Sequence, residues 1–112
     1  MPAPLICDVT AISPAERGAH QELIRRLVSE TVQSLTELPD GVAFRFAADA
    51  YDTVVRFLAL ERLCCPFLTF TLEITPERGA LWLRLTGPEG VKEFLQAELD
   101  LPPRVARPPW TD

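Results

Sequence analysis

The stretch "ALERLCCPFLTFTLEI", residues 59–74, changes its hydrophobic period in the middle. Up to Cys64 the apolar residues return at helical spacing, through Val54, Phe57 and Leu58. After Pro66 they alternate, with Phe70, Leu72 and Ile74 on one side and Thr69, Thr71 and Glu73 on the other. A proline disfavours the helical region for the residue before it, so Cys65 marks the boundary. The stretch therefore predicts a helix over about 50–64 that passes directly into a strand.

Working outward, "ALWLRL" (80–85) reads as the partner strand, joined through "TPERG" (75–79) with Gly79 available for positive φ. Gly87 and Pro88 start a last helix over about 89–99, with Val91, Phe94, Leu95 and Leu99 inward. Upstream, "VAFRF" (42–46) alternates as a strand after the turn Pro39–Asp40–Gly41. A helix is expected from Ser13 to about Leu38, with Ser13 and Glu16 as a capping box and Pro14 in the first turn. Its apolar stripe runs through Leu23, Ile24, Leu27, Val28, Val32 and Leu35. "LICDVTAI" (5–12) reads as a first strand. The expected fold is α+β, order β-α-β-α-β-β-α: about four strands in one sheet and three helices, mostly on one face. Residues 1–101 form the single domain, and 102–112 a proline-rich tail extended over the surface.

The chain has 112 residues, 47% apolar and 24% charged, enough for one self-sufficient core. Its three cysteines are thus not required as staples, and their odd number excludes a fully paired framework. The net charge is −5 with Lys and Arg scattered, which argues against nucleic acid. No apolar run spans a bilayer and the first residues lack a signal-peptide pattern, so a cytoplasmic location is expected.

Adjacent thiols such as Cys64 and Cys65 make a strained, poor disulfide. Two uses remain: buried small hydrophobes, or thiols offered to a soft ion, with Cys65–Pro66 at an exposed-leaning helix end. At about 100° per residue, Glu61 falls inside the apolar arc of its helix, between the two cysteines, while Asp52 and Arg56 face solvent. A carboxylate there needs a partner or a proton. One reading pairs it with Arg62, Arg45 or a backbone amide; another makes it a proton holder beside the thiols. Cys7 is a candidate third sulfur or a plain buried residue. His20, the one histidine, lies on the apolar side of the first helix, either as a satisfied core residue or as a ligand or proton carrier. Sulfur ligation suits Hg, As or Cu; zinc would need His20 or Glu61 to join. The candidate metal ligands are therefore Cys64, Cys65 and Cys7, with Glu61 and His20 behind them.

The segments "ERLCCPFLTFTLEI" and "LWLRLTGPEGVKEFL", together with "LTELPDGVAFRF", resemble a family of small bacterial proteins of no established activity. These carry a Glu-x-x-Cys-Cys-Pro-Phe segment and a Trp-Leu-Arg-x-Thr-Gly-Pro-x-Gly turn, and similar segments extend MerR-like heavy-metal regulators. The resemblance covers about residues 13–99 and marks Glu61, Cys64, Cys65, Pro66 and Phe67, then Trp82, Arg84, Thr86, Gly87, Pro88 and Gly90. It implies thiophilic metal binding or sensing, with a regulator protein as partner. Organomercurial lyases also use two cysteines and a carboxyl, but the sequence around Cys64 does not resemble theirs. Two other functions compete: a protein-interaction or dimerisation module in which the cysteines only pack and the tail with Trp110 recruits a partner, and a small enzyme using Glu61 as acid/base.

Overall fold

The computed structural model describes residues 8–99. The tail 102–112, Cys7 and the start of the expected first strand lie outside the described residues. Among those described, α1 (Pro14–Arg26) continues as a π-helical turn, Leu27–Thr31; β1 (Ser34–Leu38) and β2 (Gly41–Phe46) form a hairpin; and α2 (Tyr51–Cys64) crosses to a second hairpin. That hairpin is β3 (Thr69–Ile74) and β4 (Leu81–Thr86), and α3 (Val91–Glu98) follows. The α+β class, the four-stranded sheet and the three α-helices agree with the expectation.

The sheet is antiparallel throughout, in the order β1-β2-β4-β3. Its centre is the pairing of β2 with β4, in register from Gly41↔Thr86 to Phe46↔Leu81. Side chains alternate across a strand, so Val42, Phe44 and Phe46 join Leu81, Leu83 and Leu85 on one face. These six are buried, with Val54 and Phe57 of α2 and Val91 and Leu95 of α3 in the same core. Trp82 points to the other face, where the Arg45 guanidinium lies 5.6 Å from its ring. Gly41 is required by close approach: a Cβ there would come within 1.9 Å of the Leu85 carbonyl oxygen.

Four local expectations change. Residues 34–38, expected as the end of the first helix, are β1. Leu35 fits the helical stripe and also fits strand alternation; Val32 turns extended (ψ 131°), and the Gln33 amide bonds the Arg45 carbonyl at 2.7 Å. The described end of the expected first strand is a 3-10 turn, Val9–Ala11. Its Asp8 amide donates to the Cys64 carbonyl at 2.7 Å. The capping box is one-sided: the Ser13 hydroxyl donates to the Glu16 carboxylate at 2.9 Å and caps no amide. In the β3–β4 turn the positive φ falls on Glu77 and Arg78 rather than Gly79. Gly90 (φ 92°) uses glycine's freedom at the start of α3.

Candidate metal centre

The end of α2 is closed by the Cys65 amide, which donates to the Glu61 carbonyl at 2.8 Å, while Cys65 itself leaves the helix at φ −121°, ψ 70°. Pro66 enforces that exit. The last turn therefore presents Glu61 and Cys64 inward. Neither is exposed: Glu61 is 2%, Cys64 4% and Cys65 0% accessible. The expected exposed-leaning position of the cysteine pair is corrected here, because α2 ends against the core.

Glu61 meets none of the partners expected for it. Its Oε2 lies 2.8 Å from Nε2 of His20, brought from α1. His20 is buried as well, and its ring stacks on Phe57 with centroids 6.0 Å apart. The other carboxylate oxygen, Oε1, lies 3.0 Å from the Cys65 sulfur. Cys65 is disulfide-bonded; Cys64 is a free thiol. The two sulfurs lie 3.8 Å apart, and the Cys64 thiol donates weakly to the Glu61 carbonyl at 3.7 Å. Cys7, the third expected sulfur, lies outside the described residues.

His20, Glu61 and Cys64 are thus a cluster in which one ligand atom from each lies within 4.8 Å of the others. A tetrahedral ion with ligand bonds of ~2.0–2.3 Å sets its donors about 3.4 Å apart. The 4.8 Å bound on the cluster exceeds that spacing by about 1.4 Å.

The electrostatics bear on what such a cluster does. Burial first, then the charges of Glu61 and Glu98, push the Cys64 thiol up to about 11. As it stands the sulfur is held as a thiol, a poor nucleophile. A cation between the carboxylate and the sulfur would reverse that, since a coordinating thiol is deprotonated outright. His20 adds a second signal: its Nδ1 is buried and has no hydrogen-bond partner among the described residues. When Glu61 accepts the Nε2 proton of a neutral ring, Nδ1 is left as a lone pair facing no donor. An ion bound through Nδ1 would leave Glu61 behind the ring, orienting it from Nε2; an ion bound through Nε2 would replace the shared proton, with Glu61 and His20 both ligating.

A small cavity of about 100 Å³ adjoins these groups; His20, Glu61, Cys64 and Glu98 are among its walls. The sequence pointed to Glu61 and Cys64 through the apolar arc. It named His20 as a residue behind the cysteines but not its pairing with Glu61, because 41 residues separate the two and only the docking of α1 on α2 brings them together. Glu98 was missed altogether, and its only signal was a place in the last turn of a predicted helix. Among the described residues no helix is long and apolar enough to cross a membrane. No protein-family model, curated protein or solved structure matches this chain.

Proposed function

We propose that this protein binds a thiophilic metal ion, with Cys64 as the sulfur ligand and His20 and Glu61 completing a preassembled donor set. The observation that carries the reading is the buried His20–Glu61–Cys64 cluster, its ligand atoms mutually within 4.8 Å. Cys65 adds a second sulfur beside Glu61 once it is reduced, which extends the range toward the softer ions Hg(II), As(III) and Cu(I). Binding displaces the Cys64 proton, so each ion bound releases a proton to solvent. The resemblance to extensions of metal-responsive regulators supports the same reading and suggests sensing through a partner protein.

The test is equilibrium dialysis of the protein, kept reduced with a non-thiol reductant, against Zn(II), Hg(II) and As(III), with metal measured by elemental analysis. One ion per chain is expected for the wild type and little for Cys64→Ser. Equal binding by the variant sinks the proposal and leaves the cysteines as core packing.

A further inference from the structure

We infer that the centre is redox-gated: reduction of the Cys65 disulfide gives the ion held by Cys64, His20 and Glu61 a second sulfur ligand, and re-oxidation withdraws it and releases the ion. The inference rests on the metal-binding reading above and assigns the regulation of that site.

The geometry around the Cys65 sulfur carries it. That sulfur lies 3.8 Å from the sulfur of Cys64. Two sulfurs bound to one tetrahedral ion at ~2.3 Å stand about 3.8 Å apart, so the pair has the spacing of one edge of such a site. The same sulfur lies 3.0 Å from Oε1 of Glu61, whose Oε2 meets Nε2 of His20 at 2.8 Å. Cys65 thus adjoins two of the three groups gathered within 4.8 Å of one another. Local sequence secures this part of the arrangement. Cys64 and Cys65 are consecutive, and Glu61 precedes both by one turn at the end of α2.

Cys65 is disulfide-bonded while Cys64 is a free thiol. A sulfur in a disulfide is no thiolate, and the thiolate is the form that ligates a metal. It also carries no proton, so it donates nothing to the Glu61 carboxylate across their 3.0 Å contact. Reduction changes both properties. The Cys65 thiol can donate to Oε1, and an ion can take the place of that proton. With Cys64 as the one sulfur, the gathered groups number three, one short of a tetrahedral set. Cys65 brings them to four, all on buried side chains.

The electrons balance as in thiol–disulfide exchange. A dithiol reductant gives up two electrons and two protons and becomes a disulfide. The S–S bond at Cys65 breaks, leaving Cys65 and its bond partner as thiols. Ion binding then expels the Cys64 and Cys65 protons. A disulfide oxidant reverses this: it accepts the two electrons and becomes two thiols, the S–S bond re-forms, Cys64 regains a proton and the ion leaves to water.

The experiment is competition for Zn(II) against a chromogenic chelator, on wild type reduced with a phosphine and on wild type oxidised with an organic disulfide, each freed of reagent. Counting thiols after denaturation identifies the forms, three in the first and one in the second. The reduced form is expected to hold Zn(II) more than about tenfold tighter, since removing even a group behind a ligand costs about that much. Cys65→Ser is expected to match the oxidised form under both treatments. Its Co(II) complex should show a weaker sulfur-to-metal charge-transfer band than that of the reduced wild type. Equal Zn(II) affinity in the two wild-type forms overturns the gate and, with Cys64→Ser not binding, leaves the Cys64 reading standing. A Cys65→Ser variant that binds as tightly as the reduced wild type overturns the second sulfur. A wild type that binds neither Zn(II) nor Hg(II) in either form overturns this inference and the metal-binding reading together.

Discussion

Replacing Glu61 with alanine in the metal-free protein tests the arrangement on which the site depends. Glu61 and His20 are 2% and 4% accessible and bonded at 2.8 Å, so the pair is shielded from bulk solvent. Truncation leaves His20 with both ring nitrogens unsatisfied, since Nδ1 is already unpartnered. It also enlarges a cavity already present at that wall. Removing one member of a buried polar pair costs about 3–5 kcal/mol. At this chain length that corresponds to a fall in Tm on the order of 10–20 °C. Urea denaturation followed by circular dichroism measures it, and the singles Glu61→Leu and His20→Leu with His20→Leu/Glu61→Leu form a double-mutant cycle. Because the double variant leaves no orphaned group, it should be less destabilised than the sum of the singles, with a coupling of roughly 2 kcal/mol. A Glu61→Ala cost below about 1 kcal/mol, or strict additivity in the cycle, would refute the buried pair.

Two further outcomes follow from the same structure. The Cys64 thiol is raised from an ordinary 9.0 to about 11, so the native state favours the neutral thiol. Its contribution is complete below the unfolded-state pKa and is lost as pH rises through 9 toward about 11. The urea midpoint of the metal-free wild type should therefore fall across that window more steeply than that of Cys64→Ala; equal slopes would count against a buried thiol. Gly41→Ala places a Cβ against the Leu85 carbonyl. It should cost ~2–3 kcal/mol or more by forcing β2 from β4, and a variant as stable as wild type by thermal melting would contradict the observed register.

What was legible in the sequence follows from which forces are local. The exit of α2 at Pro66 and the alternation of β3 and β4 depend on neighbouring residues, and both appear as read. Glu61 was legible because a single helix fixes its angle to Phe57 and Cys64. Residues 34–38 were misread because Leu35 satisfies both periods, and the choice is made by pairing with β2, from Ser34↔Arg45, eleven residues apart, to Leu38↔Gly41 at the turn. The burial of Cys64 and Cys65 was hidden for a similar reason: a helix end faces solvent only if nothing packs on it. The meeting of His20 with Glu61 and the approach of Glu98 are tertiary events with no local signature.

The sheet order carries one more consequence. β1–β2 and β3–β4 are local hairpins, but they are joined edge to edge only through the β2–β4 ladder, and α2 is the link between them. Closing that ladder requires Gly41 to find Thr86 across a long loop, which is slow compared with forming either hairpin. The helix bearing Glu61 and Cys64 lies within that loop, while His20 and Glu98 come from outside it on either side. Glu61 and Cys64 share one helical turn of α2, but His20 joins them only when the two halves zip together. The His20–Glu61–Cys64 cluster is therefore a property of the finished fold.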